Sequence, residues 1–140
     1  MFRVFVLIAL SLLSSGCATS YHSTDDMLFG WMGGYWDRKG PGELTQVGFS
    51  ANAASDKDIV RKYLMYRCAE LTVAENKNYF VMYKTIAHAI RNKPLVKIPF
   101  LANARKPGAH VYILMEDTQL NKSYSARQVL KAYSGVVGKS

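Results

Sequence analysis

The distribution of apolar and polar residues sets the N-terminal segment apart from the rest of the chain. After the basic start Met1–Arg3, an apolar run from Val4 to Leu13 is broken only by Ser11. A short basic start, an apolar run and then small residues before Cys17 form the pattern of a secretory signal peptide. The run is about half as long as the roughly 20 residues that a membrane-spanning helix needs. We therefore expect residues 1–16 to direct export and then to be removed.

The later part of the chain, residues 29–140, has the periodicities of a single domain that contains both strands and helices. Segments that alternate apolar with polar residues, or that are densely apolar and β-branched or aromatic, predict strands. Four segments have this character: residues 44–49, 79–83, 95–101 and 110–115. Pro94 and Pro99 would confine the third segment to a sheet edge, because proline has no backbone N–H. Residues 86–93 fit either a helical turn or the tip of a hairpin.

Two segments have the 3.6-residue periodicity of amphipathic helices. The first opens at Ser55, which precedes Asp58 by the spacing of a capping box, and runs for about twenty residues. Its apolar face consists of Val60, Leu64, Cys68 and Leu71. The second helix runs from Ser123 or Ser125 to Tyr133. This element order predicts an α+β fold: a small, mostly antiparallel sheet of about four strands, with the long helix and the C-terminal helix packed on one face.

Cys17 follows the small residues Ser14, Ser15 and Gly16 and resembles the lipidated cysteine of bacterial lipoproteins, although Ser14 stands where their pattern prefers leucine. The resemblance implies that Cys17 is diacylated, becomes the mature N-terminus and is held in a membrane by its acyl chains. Ala18 replaces the aspartate that tends to retain such proteins at the inner membrane, so the resemblance implies the outer membrane, with the domain facing the periplasm. Residues 17–28 are mostly polar and predict a lipidated N-terminus and a tether. The alternative is an ordinary cleaved signal that frees a soluble periplasmic protein.

The composition is that of an ordinary globular domain. Apolar residues make up 49% of the chain and charged residues 20%, which argues against disorder. If Cys17 carries lipid, Cys68 has no partner for a disulfide within the chain. Because Cys68 lies on the apolar face of the long helix, we expect it to be a buried, structural thiol.

The formal charge of the chain is +8, and it is unevenly distributed. No acid occurs between Glu75 and Glu116, whereas basic residues recur throughout that interval. Such a one-signed segment produces a field that attracts anions. In the cell envelope these are lipid and lipopolysaccharide phosphates, murein carboxylates and acidic proteins, and an exported protein does not meet nucleic acid. The predicted contact residues are Lys84, Arg91, Lys93, Lys97, Arg105 and Lys106, and the alternative is a solvated basic surface with no dedicated ligand.

An aromatic segment, residues 29–36, precedes the first predicted strand. Trp31, Tyr35 and Trp36 combine large side chains with neighbouring glycines. Such residues either pack across the edge of a sheet or form an exposed contact surface. Both interpretations are open from the sequence.

The chain has no set of residues with the spacing of a known catalytic or metal site. Its histidines lack the His-x-x-x-His and His-Glu-x-x-His spacings, and we expect no metal and no cofactor. The sharpest enzymatic alternative is a murein-active cysteine hydrolase that pairs Cys68 with His88 or His110. Such nucleophiles are activated at helix N-termini, whereas Cys68 lies well inside its predicted helix. We therefore expect a non-enzymatic protein with a structural or accessory binding role.

Four motifs resemble a family of small, uncharacterised proteobacterial lipoproteins with a Gly-Tyr-Ser opening and an Arg-Ala-Ala-Glu-Leu-Thr helix. They are Gly34-Tyr35, residues 47–52, residues 63–72 and residues 79–81, with Trp36 and Cys68 standing where the family has serine and alanine. The resemblance implies an exported lipoprotein with an α+β domain and implies no catalytic residues. Its most specific part contains Arg67 and Glu70, whose i,i+3 spacing predicts an ion pair. We expect this pair to fix the helix against a loop rather than to hold a ligand.

Overall fold

A five-stranded antiparallel sheet forms the centre of the computed structural model, which describes residues 19–25, 27, 33–101 and 107–138. The strands are β1 (Gly34–Lys39), β2 (Thr45–Ser50), β3 (Tyr79–Tyr83), β4 (Gly108–Glu116) and β5 (Tyr124–Ser125). Their order across the sheet is β1-β2-β4-β3-β5. The helices are α1 (Lys57–Ala74), α2 (Ile86–Ile90) and α3 (Ala126–Val137). The predicted α+β fold is confirmed, because the long helix α1 and the C-terminal helix α3 pack against each other on the sheet.

The core lies between the sheet and these two helices. Every second residue of the central strands points toward the helices, as the period of two in a strand requires. The helix positions predicted to be apolar meet them: Val60, Leu64 and Cys68 are fully buried. The strand residues of this core are Val47, Phe49, Phe80, Met82, Ala109, Val111 and Ile113.

The prediction of a strand over residues 95–101 is wrong. In this segment the Leu95 N–H donates to the Met82 carbonyl (2.7 Å), and Leu101 forms an isolated bridge with Gly108. Pro94 and Pro99 offer no N–H, so the segment cannot maintain a continuous ladder of hydrogen bonds. The strands β1 and β5, which the sequence pattern does not predict, form the two edges of the sheet instead.

The N-cap of the long helix lies one residue later than predicted. Asp56, not Ser55, is the N-cap: its Oδ1 accepts hydrogen bonds from the N–H groups of Asp58 (2.8 Å) and Ile59 (3.0 Å). Asn76 follows the helix with a φ of 57°, the left-handed conformation that asparagine tolerates at a helix end. The ambiguous residues 86–93 contain the short helix α2, so the helical interpretation applies there.

The segment predicted to be a tether packs on the domain over residues 19–24. Thr19 is only 4% exposed; its N–H donates to Ser55 Oγ (3.0 Å), and its Oγ1 accepts from the Asn52 N–H (3.0 Å). Farther along, the Tyr35 N–H donates to the His22 carbonyl (2.7 Å), which adds the segment to the edge of β1. This close approach needs a glycine, because a Cβ on Gly34 would lie 2.3 Å from the His22 oxygen.

The antiparallel registers give the sheet two distinct ends. β2 and β3 run toward one end of the sheet, and β1 and β4 begin at that same end. α1 also begins at that end, soon after β2 finishes, and α2 follows β3 there. We call it the Thr19 end, because Thr19 is bonded to Ser55 just before α1. The opposite end, where β4 finishes, is the Glu116 end.

Candidate functional site

The predicted basic residues fall into two groups. Lys84, Arg91 and Lys93 flank α2 at the Thr19 end and are exposed, whereas Lys97 lies in the segment that runs beside α1. Lys77, at the Glu116 end, pairs with Asp117 (2.7 Å). Arg105 and Lys106 lie outside the described residues. The acid-free interval of the sequence therefore does not form one continuous surface in the part that is described.

Lys97 borders a groove that the sequence pattern does not reveal. The groove has a volume of about 230 Å³ and lies between α1, α3 and the segment 96–98. Its cations are Arg61, Lys62 and Lys97; we call this site the basic groove. Its other walls are formed by Met65, Met82, Val96, Ile98, Tyr124 and Tyr133.

Two hydrogen bonds hold the outer wall of the basic groove in place. Arg61 Nε donates to the Ile98 carbonyl (3.0 Å), and the Tyr124 hydroxyl donates to the Val96 carbonyl (3.2 Å). The carbonyls of a non-strand segment are thereby bonded to α1 and to β5. Burial raises the pKa of the Tyr124 phenol, so this donor stays protonated at neutral pH.

The charges in the basic groove are only partly compensated. Arg61 Nη1 pairs with Asp58 Oδ1 (2.9 Å), but the Asp58 side chain is 77% exposed and largely screened by water. Within the described ranges, neither Lys62 nor Lys97 has a carboxylate at ion-pair distance. Cations beside the apolar side chains of Met65 and Val96 suit an anion attached to an apolar group. The volume is below the usual 300–1,000 Å³ of ligand pockets, so the groove fits part of such a molecule.

The sequence pattern does not predict Arg61 and Lys62 as site residues, for a physical reason. Both lie outside the acid-free interval and next to Asp58, so local charge counting treats that stretch as balanced. Only the three-dimensional packing brings Lys97 next to them, where Arg61 Nε donates to the Ile98 carbonyl. A usable signal is the pair of consecutive cations one turn before Met65, at the border of the apolar face of α1.

Arg67 and Glu70 are in contact and belong to a larger cluster. Arg67 Nη1 lies 3.2 Å from Glu70 Oε2, and Arg67 Nη2 lies 2.9 Å from Asp37 Oδ1. The same guanidinium stacks on the Tyr35 ring at 4.3 Å. The Tyr21 hydroxyl donates a hydrogen bond to Glu70 Oε2. The cluster therefore links α1, β1 and the N-terminal segment. The i,i+3 spacing predicts the contact between Arg67 and Glu70 but not the further partners Tyr21 and Asp37.

Burial and hydrogen bonding shift the pKa values of Tyr21 and Arg67 in this cluster. Burial, followed by the hydrogen bond to Glu70, raises the pKa of the Tyr21 phenol well above its usual range. Burial alone would lower the pKa of the Arg67 guanidinium, but its hydrogen bonds to Asp37 and Glu70 raise it. We interpret the cluster as structural, because its cation is already engaged by two carboxylates and a ring.

Tyr35 and Trp36 point to opposite faces of the sheet and do not form a joint surface. Tyr35 packs on Tyr21, with ring centroids 4.8 Å apart, on the helix side. Trp36 lies on the outer face across Gly48, where an added Cβ would be 2.2 Å from the indole. Its ring is 6.5 Å from that of His110. Trp31 lies outside the described residues, as does Cys17.

Cys68 has the surroundings of a structural thiol. It is fully buried in the core and forms no disulfide, and burial raises the pKa of its thiol. His110 lies on the outer face of the sheet with Trp36, whereas Cys68 packs on the inner face. His88 Nδ1 contacts Thr85 Oγ1 (2.7 Å) in α2. Neither histidine is placed to activate Cys68.

Two further properties concern only the described residues. They contain no group of three or more His, Cys, Asp or Glu side chains that could hold a metal ion. In the same ranges, none of the helices has both the length and the apolarity to cross a membrane.

Comparison with known proteins adds no assignment. No family model matches the chain, and neither a curated protein nor a solved structure matches it. The resemblance to proteobacterial lipoproteins and the lipidation of Cys17 therefore stay predictions.

Proposed function

We propose that the protein is an exported lipoprotein of the bacterial outer membrane, anchored by acyl chains on Cys17 and facing the periplasm. Its role is non-enzymatic and accessory: the basic groove binds the anionic group of an envelope component. The observation that carries this proposal is the meeting of Arg61, Lys62 and Lys97 beside apolar side chains.

The chemistry of the groove favours an anionic amphiphile among the anions of the envelope. A phosphate or carboxylate would meet the ammonium groups of Lys62 and Lys97, and an apolar part of the same molecule would contact Met65, Val96 and Tyr133. Murein and acidic proteins offer the charge without a comparable apolar part. An anionic phospholipid offers both.

The buried position of Cys68 supports a non-enzymatic role over a cysteine hydrolase. A hydrolase needs an accessible thiolate, and burial keeps this thiol protonated. A thiol reagent applied to the folded protein provides a direct check. Rapid modification of Cys68 under native conditions would favour the hydrolase.

Binding of a Cys17→Ser protein to phosphatidylglycerol vesicles tests the groove. The double variant Lys62→Gln/Lys97→Gln is compared with Lys39→Gln/Lys122→Gln, which removes the same charge from exposed positions outside the lining of the groove. A basic side chain near an anionic surface contributes about 1 kcal/mol, so the groove variant should bind roughly 25-fold more weakly. The control variant should bind almost as well as the parent.

Two outcomes contradict the groove as the binding site. Equal losses in both double variants would mean that net charge alone drives the association. Absent binding, or binding that does not weaken with salt, would exclude the electrostatic mechanism.

The anchor is tested separately from the groove. In a bacterial host, the wild-type protein should fractionate with membranes and carry the mass of acyl chains on Cys17, and Cys17→Ser should move to the soluble fraction. An unchanged distribution, together with an unmodified Cys17, would refute the lipoprotein assignment.

A further inference from the structure

The Thr19 end of the domain exposes apolar side chains that a folded domain normally covers. Ile90 in α2 is 81% exposed, Leu101 beside the start of β4 is 50% exposed, and Ile59 in the first turn of α1 is 39% exposed. All three belong to elements that begin or finish at this end. Single exposed apolar residues are ordinary, and Val73 in the last turn of α1 is 40% exposed as well, so the cations that accompany these apolar residues are what distinguish the Thr19 end.

Basic residues lie among these apolar side chains. Lys84, Arg91 and Lys93 flank α2 and are exposed, and Lys57 extends over the Phe100 ring at 5.7 Å. In the described ranges, none of these four cations pairs with a carboxylate. Apolar residues interspersed with lysine and arginine are typical of surfaces that lie in the headgroup region of an anionic bilayer.

The opposite end of the sheet has a different charge character. The carboxylates there belong to Glu43, Glu75, Glu116 and Asp117. At the Thr19 end the acids Asp56 and Asp58 are engaged in capping α1 and in pairing with Arg61. Among the described residues, the Glu116 end therefore contains four carboxylates, whereas the Thr19 end combines four unpaired cations with two acids that are already engaged, and an anionic surface attracts the Thr19 end.

The N-terminal segment fixes the distance between this end and a lipid on Cys17. Thr19 is buried and bonded to Ser55 and Asn52, so the described chain begins on the domain itself. Between Thr19 and Cys17 stands only Ala18. A residue spans at most about 3.6 Å, so the two Cα atoms lie within roughly 7 Å of each other. A lipid inserted in a bilayer would hold the Thr19 end at the membrane surface.

We propose that the Thr19 end docks on the membrane that holds the anchor, with Ile90, Leu101 and Ile59 in the headgroup region and the neighbouring cations on anionic phospholipids. This inference rests on the proposed lipidation of Cys17. It also specifies the source of the ligand for the basic groove, because Arg61 lies one helical turn from the start of α1. That ligand is a phospholipid of the anchoring membrane.

Fluorescence quenching tests the docking in the lipidated, full-length protein. Ile90→Cys and Val73→Cys each receive an environment-sensitive fluorophore; both positions are exposed, and Val73, in the last turn of α1, lies at the Glu116 end as the control. Cys68 is buried and Cys17 is acylated, so neither competes for the label. In vesicles that contain phosphatidylglycerol and brominated lipid, we expect strong quenching of the label at position 90 and none at position 73. Equal quenching at the two positions, or none at either, overturns the proposal.

A charge reversal shows whether anionic lipid is the partner. Lys84→Glu/Arg91→Glu/Lys93→Glu should abolish most of the quenching at position 90, whereas Lys39→Glu/Lys122→Glu should leave it unchanged. Quenching that is as strong in zwitterionic vesicles contradicts the charge mechanism. Mass spectrometry of the same samples separates the two proposals: an acylated protein without quenching refutes the docking alone, and an unacylated one refutes the lipoprotein assignment.

Discussion

Replacing Tyr21 tests whether the N-terminal segment is a structural part of the domain. Its ring contacts three other tyrosines, Tyr35 at 4.8 Å and Tyr63 and Tyr66 at 5.5 Å between centroids. Its hydroxyl donates to Glu70. Tyr21→Phe removes only the hydrogen bond, whereas Tyr21→Ala removes the ring as well.

The structure gives the expected size of each effect. A hydrogen bond to a charged group contributes about 1.5–3 kcal/mol, and the partly exposed Glu70 keeps its Arg67 partner, so Tyr21→Phe should lower the free energy of unfolding by about 1 kcal/mol. Aromatic pairs contribute about 0.5–1.5 kcal/mol each beyond area burial. A fully buried aromatic residue replaced by alanine costs about 3–5 kcal/mol. Because Tyr21 is half-buried, we expect about 3 kcal/mol for Tyr21→Ala.

Urea unfolding of the soluble Cys17→Ser protein measures both values. A double-mutant cycle of Tyr21→Phe with Glu70→Gln isolates the coupling between hydroxyl and carboxylate. If Tyr21→Ala changed the free energy of unfolding by less than about 0.5 kcal/mol, the segment would be detached in solution and the reasoning from its contacts would be refuted.

Three further predictions use the same unfolding assay. Asp56→Ala should destabilise the protein by about 1 kcal/mol through loss of the α1 cap, and no change would mean that another residue caps the helix. Gly48→Ala should cost about 1–3 kcal/mol because its methyl group would meet the Trp36 indole, whereas Gly135→Ala, in open space on α3, should stabilise by up to about 1 kcal/mol. Burial raises the pKa of the Cys68 thiol, so near pH 8.5 this thiol ionises in the unfolded chain but not in the folded protein. The free energy of unfolding should therefore fall above that pH, by up to about 1.4 kcal/mol per pH unit. Cys68→Ala should flatten this slope; an equal slope in the variant would assign it to other groups.

The central elements of the fold can be predicted from the sequence because buried elements carry a regular pattern of apolar residues. β2, β3, β4 and α1 all lie at the centre of the sheet or across it, so their apolar periodicity is strong. The edge strands could not be predicted in this way. β1 buries little beyond Gly34, and β5 has only two residues, so neither carries a clear period-2 pattern. Residues 95–101 present the opposite case. They are apolar enough to predict a strand, but Pro94 and Pro99 prevent a continuous ladder of backbone hydrogen bonds.

The candidate sites depend on contacts between distant parts of the chain, and local patterns predict such contacts poorly. The i,i+3 spacing of Arg67 and Glu70 predicts their contact, since one helix determines it. Tyr21 lies in a polar stretch, and its partner Glu70 is 49 residues away. Lys97 and Arg61 meet because the Ile98 carbonyl accepts from Arg61. Charge counting along the chain identified Lys97 and missed its neighbours.

The contacts of the N-terminal segment also determine how far the domain could move from the proposed lipid anchor on Cys17. While Thr19 and Tyr21 are bound, Ala18 alone joins Cys17 to the domain. If those contacts were lost, residues 18–33 would become the linker, with a maximal reach of about 58 Å at up to 3.6 Å per residue. Tyr21→Ala should therefore weaken the bromolipid quenching of a label at Ile90→Cys without changing the acylation of Cys17. Because Tyr21 lies on the side of α1 away from the basic groove, this loss would come from the freed linker and not from an altered lipid site. Unchanged quenching would mean that the Thr19 end binds the bilayer strongly enough on its own, so that the short connection adds nothing to the docking.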